Sequence, residues 1–136
     1  MPIYHIAYHG YKRKPSDKEM QERMAMFQAA FAAAPFVEEG FVGHYFGPED
    51  GYHDAVCVKF KDLEAYRTHM RAPHGPDEAA NLRETVARIR VFDIITPDEP
   101  ADTAAKIIEL YKERWRLFPD VAKVLREEVD ARMPYL

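Results

Sequence analysis

The chain has 136 residues, 47% of them hydrophobic and 31% charged, with 19 basic and 23 acidic residues giving a formal net charge of −4. That length predicts one domain with a real core and room for an appendage, and the apolar content argues against disorder. The mixed, slightly acidic surface excludes a phosphate-binding footprint, and no apolar run approaches the roughly 20 residues of a membrane helix, so neither nucleic acid nor membrane is an expected partner.

The opening MPIYHIAYHG has neither a charged n-region nor a signal-peptide core, which predicts a cytoplasmic protein. Ile3 to His9 then alternates Tyr4, Ile6 and Tyr8 with Ile3, His5, Ala7 and His9. Both faces carry bulk, so this strand is expected at the centre of a sheet covered on both sides. His5 and His9 share a face at roughly 13 Å by strand rise, too far to bind one metal ion together. Edge histidines satisfied by hydrogen bonds are the plain reading, and a pocket role for His5 is the sharper one.

Ser16-Asp17-Lys18-Glu19 is a capping box that opens a helix from Asp17 to about Ala33, with Met20, Met24, Phe27 and Phe31 as its core stripe. Phe36 to Gly40 reads as a return loop and Phe41 to Phe46 as the second strand. Gly47-Pro48-Glu49-Asp50-Gly51 supplies the turn of a hairpin.

The stretch from Gly51 to His74 is the centre of the reading. Tyr52, Asp54, Val56, Val58 and Phe60 alternate with His53, Ala55, Cys57 and Lys59, which argues for a strand. Asp62 is placed as the N-cap of the helix carrying Tyr66, and Pro73 with Gly75-Pro76 leaves His74 in a turn. A carboxylate in a strand, a tyrosine on the next helix and a histidine beyond it can converge. Asp54 then orients His74 and raises its basicity. His74 takes a proton next to a carbonyl while Tyr66 or His5 polarises the oxygen. The competing reading makes Asp54 a turn cap or a partner satisfying burial. Cys57, the single cysteine, excludes an intrachain disulfide and reads as a buried structural thiol.

Asp77 to Ala87 resumes helix and Ile89 to Ile95 is the last strand, giving β-α-β-β-α-β over residues 1–97. That order predicts an α+β, ferredoxin-like antiparallel sheet with two helices on one face. The other face is left apolar and bare, which predicts a homodimer packed sheet to sheet through a twofold axis. PDEP at 97–100 is a linker to a helical extension, residues 98–136. Its first helix, capped by Asp102 or Thr103, carries Ala104, Ile108, Tyr111, Trp115 and Phe118 on one stripe. A second helical piece begins at Pro119-Asp120 and carries Val121, Val124, Leu125 and Val129. The polar face of this tail mixes acid and base, so docking on protein is expected rather than on lipid. Scattered histidines and the absence of P-loop or GxGxxG patterns predict no metal, nucleotide or other cofactor.

This pattern resembles the stress-responsive A/B barrel family, the dimeric α/β barrel proteins abbreviated Dabb. Tyr4-His5-Ile6-Ala7, Gly51 to Val56, Phe60-Lys61-Asp62, Ala65-Tyr66…His69, the Pro73-His74 turn and Val91-Phe92-Asp93 carry the likeness, over residues 1 to about 97. The resemblance implies a ferredoxin-like protomer whose dimer closes two sheets into a barrel. Its olivetolic acid cyclase type lines a pocket with two strand histidines, a helix tyrosine and a turn histidine. His5, Tyr66 and His74 match three of these, and Asp54 stands where the third-strand histidine would be. The segment between His69 and His74 is also longer here. The expected function is therefore a homodimer with a small-molecule pocket, for an apolar or aromatic ligand, and lyase, cyclase or isomerase-like proton transfer at His5, Asp54, Tyr66 and His74. The alternatives are a non-enzymatic stress-related binding or structural dimer, and a cofactor-free or haem-handling oxygenase on a related barrel.

Overall fold

The computed structural model describes residues 2–136. Among them, β1 (Ile3–Tyr11), α1 (Asp17–Ala33), β2 (Val37–His44), β3 (Asp54–Phe60), α2 (Leu63–Arg71), α3 (Glu78–Thr85) and β4 (Val86–Ile95) build the ferredoxin-like order. They are followed by α4 (Thr103–Leu117), α5 (Pro119–Glu127) and β5 (Asp130–Arg132). The sheet order is β2-β3-β1-β4-β5, antiparallel except for β5, which joins β4 in parallel.

Local chemistry sets the helix starts. The Ser16 hydroxyl accepts from Glu19 N while the Glu19 carboxylate accepts from Ser16 N, a closed capping box. Asp62 accepts from Ala65 N at 2.9 Å and starts α2. In α1 only Met20 of the Met/Phe stripe is fully buried. Phe31 lies against β2 at Gly40, where a Cβ would stand 2.7 Å from the ring, so a side chain at that position would displace the Phe31 ring.

One face of the sheet is covered. Ile3 and Ala7 of β1, Val56, Val58 and Phe60 of β3, and Ile89 and Val91 of β4 are buried together with Tyr66 and Met70 of α2. The C-terminal segment enters the same core through Ile107, Leu110, Trp115, Val124 and Leu125. On the other face Tyr8 meets Tyr45, Tyr52 and Phe92 at ring separations of 5.2, 5.8 and 5.6 Å, with Phe41 57% and Ile94 49% exposed. Cys57 lies half-buried on that open face rather than in the core.

The structure corrects several boundaries. The second strand runs Val37–His44 instead of Phe41–Phe46, because Val37 and Glu39 already pair with Phe60 and Lys59 across an irregularity. The last strand of the ferredoxin-like unit begins at Val86, paired with Tyr11, so α3 stops at Thr85. The buried stripe of α4 is rotated from the expected one. Thr103, Ile107, Leu110, Tyr111, Arg114 and Trp115 face inward and Ala104 is exposed. Those positions keep helical spacing, with a buried Arg114 among them that an apolar stripe does not reveal. The short β5 was not expected. Among the described residues no helix is long and apolar enough to cross a membrane.

Candidate functional site

β1 is central, and its covered face presents His5 and His9 between Ile3, Ala7 and Tyr11. The antiparallel registers set His5 opposite Asp93 of β4 and His9 opposite Asp54 of β3. Each pair closes with Nδ1 and Oδ1 2.8 Å apart. Asp93 accepts on its other oxygen from the Tyr66 hydroxyl at 3.0 Å and the Tyr111 hydroxyl at 2.5 Å. Asp54, fully buried, accepts on its other oxygen from the Tyr11 hydroxyl at 2.5 Å.

The expected contact between Asp54 and His74 does not form. Asp54 opens β3 and lies six residues before Phe60, roughly 20 Å by strand rise from the junction that leads into α2. Its partners are His9 and Tyr11, which matches the burial-satisfying reading. His74 instead has the Arg114 Nη2 3.3 Å and a Glu78 carboxylate oxygen 3.7 Å from its Nδ1. His5 and Tyr66 do come together, through a carboxylate not expected at the site from sequence. That group is Asp93.

The rings continue from His5. Its centroid is 5.3 Å from that of His69, and His69 is 4.7 Å from His74. These side chains, with His9, Tyr111 and Arg114, line a largely enclosed cavity of about 100 Å³. Hollows of up to about 610 Å³ elsewhere are open to solvent and hold none of His5, Asp54, Tyr66 or His74. His69 Nε2 is buried and has no hydrogen-bond partner among the described residues. An unpaired buried nitrogen on a cavity wall is a place for a ligand or water to bond.

Electrostatics follow from burial. Desolvation, then the neighbouring His5, His74 and Arg114, holds the His69 imidazole well below its usual pKa, so the ring is neutral. Desolvation and then Arg114 lower His74 too, although 40% of that side chain meets solvent, which limits the effect. Burial raises the Tyr66 and Tyr111 phenols, with Asp93 adding to both, so they act as donors and stay protonated. Because Asp93 receives a bond from His5 Nδ1, the lone pair of the neutral His5 ring is on Nε2. That is a base oriented by a carboxylate, which is itself held by two phenols.

Arg114 is 4% exposed. Its Nη1 donates to Met70 O at 2.7 Å and Ala72 O at 2.9 Å, two free carbonyls at the end of α2. No grouping of three or more histidine, cysteine, aspartate or glutamate side chains suited to a metal ion occurs among the described residues.

Sequence reasoning had signals for part of this. Asp93 shares strand parity with Ile89 and Val91, and His69 lies one helical turn beyond Tyr66. Arg114 had none, since an arginine on an amphipathic helix is ordinarily a surface residue.

No family model matches the chain, and no curated protein does. Solved structures do. A Dabb family protein with a ferredoxin-like fold from Mesorhizobium loti is 19% identical with a TM-score of 0.54, covering 70% of this chain and 96% of its own. A hydroxynitrile lyase from Passiflora edulis is 22% identical with a TM-score of 0.57, covering 73% and 97%. A dimeric ferredoxin-like protein of unknown function from Thermobifida fusca is 19% identical with a TM-score of 0.54, covering 71% and 92%. These likenesses show the fold, which is the ferredoxin-like α+β architecture seen in a Dabb family protein. They leave unmatched a share of this chain about the size of its C-terminal segment.

Proposed function

We propose that this chain carries a small buried pocket for proton transfer, a lyase, isomerase or cyclase-like reaction, with His5 as the base. The observation that carries the reading is the Asp93–His5 pair, with two phenols on the carboxylate, facing a largely enclosed cavity walled by three further imidazoles. Tyr66 and Tyr111 hold Asp93, and His74 supplies a second polar group across the cavity. Asp54 has no part in this chemistry. The solved hydroxynitrile lyase supports a lyase on this fold, although fold alone does not carry function.

At about 100 Å³ the cavity is smaller than the roughly 150 Å³ that holds benzene. The substrate is accordingly a carbonyl or hydroxy compound of a few non-hydrogen atoms, and this cavity leaves no room for a porphyrin. The aromatic open face and the dimeric structural neighbour support a homodimer joined sheet to sheet, for which sedimentation mass is the test.

The test of the reaction is deuterium exchange at carbons next to the carbonyl in a panel of small ketones, aldehydes and 2-hydroxynitriles, with carbonyl release followed in the last class. His5→Phe is expected to lower the rate on any accepted compound by about 100-fold or more. Unchanged exchange in that variant, or no turnover across the panel, would leave the non-enzymatic binding dimer as the better reading.

A further inference from the structure

Arg114 reaches the cavity from α4, in the segment that follows the ferredoxin-like unit. A guanidinium only donates hydrogen bonds, so its Nη2 at 3.3 Å from His74 Nδ1 requires a lone pair on that nitrogen. The His74 proton is then on Nε2. Four side chains bear on this ring, besides the His69 backbone carbonyl, which accepts its ring N–H. His69 approaches from α2 and Glu78 from α3, Arg114 comes from α4, and His5 of β1 lies beyond His69. The Glu78 carboxylate favours the opposite tautomer. It lies 3.7 Å from Nδ1, beyond hydrogen-bond reach, and is drawn to Arg114 at 3.8 Å and to the His74 backbone N–H at 3.4 Å. The guanidinium wins on distance.

We propose that the C-terminal segment sets the polarity of the site. Arg114 holds His74 as an Nε2–H donor, and Tyr111 helps Asp93 hold His5 as an Nε2 acceptor. The two imidazoles at the ends of the His5–His69–His74 row therefore stand in opposite tautomers. This rests on the proton-transfer reading and gives it a direction. A proton next to the substrate carbonyl passes to His5 Nε2, and the resulting imidazolium is stabilised by Asp93. The electron pair moves onto the carbonyl oxygen, and reversal returns the proton. Arg114 and Tyr111 are positioning residues, acting through His74 and Asp93.

Two-bond 1H–15N correlation spectra of the full-length protein at pH 7 read the tautomers directly. His5 is expected protonated at Nδ1 and His74 at Nε2. In Arg114→Met, His74 is expected to become a mixture of tautomers and its titration midpoint to rise by at least half a pH unit, as the cationic neighbour is lost. Glu78→Gln is expected to leave His74 as the Nε2–H form. A wild-type His74 protonated at Nδ1, or a tautomer change in Glu78→Gln, overturns the proposal. Should Arg114→Met fail to fold, the other two spectra still decide. Opposite tautomers in a protein with no activity on the panel would count against the proton-transfer reading and leave the tautomer assignment intact.

Discussion

The covered face of β1 carries two histidine–aspartate pairs of equal length, and they do different things. His9 is stacked between Phe27, 5.9 Å away at 15°, and Tyr11, 6.4 Å away at 21°, and Arg23 lies over the Tyr11 ring at 3.8 Å. Its partner Asp54 is fully buried and receives one phenol. His5 meets its neighbours edge-on, with His69 at 61° and Tyr66 at 70°, and continues into a row of imidazoles on the cavity. The same hydrogen bond joins two strands at each end; both imidazoles line the cavity, and in the proposed function only the His5 pair orients a base. What surrounds the imidazole decides its role.

The largest expected effect breaks the comparison at the His9 end. Asp54→Ala removes the fully buried acceptor of His9 and Tyr11, and is expected to cost about 3–5 kcal/mol in denaturant unfolding. Exchange activity in whatever fraction stays folded is expected within a few-fold of wild type. A loss of activity out of proportion to unfolding would move Asp54 into the chemistry.

The next effect sharpens the comparison through pH. Native His69 and His74 resist protonation, while in the unfolded chain they titrate near the ordinary value of 6.5. Below that pH the unfolded state binds protons that the folded state does not, so stability falls as pH drops from about 6.5 and is unaffected above it. His69 alone contributes at most about 1.4 kcal/mol per pH unit. Thermal unfolding is expected to fall between pH 7 and pH 5, and His69→Phe to flatten that fall. An unchanged slope would place the proton uptake elsewhere.

Much of this fold could be read from sequence because its signals are local. Ser16 to Glu19, Asp62 with Ala65 and the Pro73 break each act over a few residues, and the structure has all three. The candidate site was legible only where chain order determined it. His5 and Tyr66 meet as the β-α-β-β-α-β order requires, but through Asp93, whose role depends on the His5–Asp93 register across two non-consecutive strands. Asp54 was paired with His74 because they are close in sequence, whereas strand direction carries them to opposite ends of β3 and α2. Arg114 and Tyr111 belong to a segment whose docking is a tertiary matter. An arginine buried at the end of α2 leaves no mark in the amphipathic pattern, because its hydrogen-bonding partners are backbone carbonyls.

The smallest effect separates the two carboxylates by their phenols. Tyr11 is the only phenol on Asp54, and its hydroxyl is the sole hydrogen bond to Oδ2 identified among the described residues. Tyr66 shares Asp93 with Tyr111, which bonds the same oxygen at the shorter distance of 2.5 Å. Tyr11→Phe therefore strips one carboxylate oxygen in a fully buried residue and is expected to cost roughly 1–2 kcal/mol. Tyr66→Phe leaves Tyr111 in place and is expected to cost about 1 kcal/mol or less. Activity should order the pair the other way. With one donor gone, Asp93 becomes the stronger acceptor and pulls harder on the His5 proton, so the exchange–pH profile shifts upward in Tyr66→Phe and stays fixed in Tyr11→Phe. Equal profiles in the two variants would mean that the pairs at His5 and His9 are both structural.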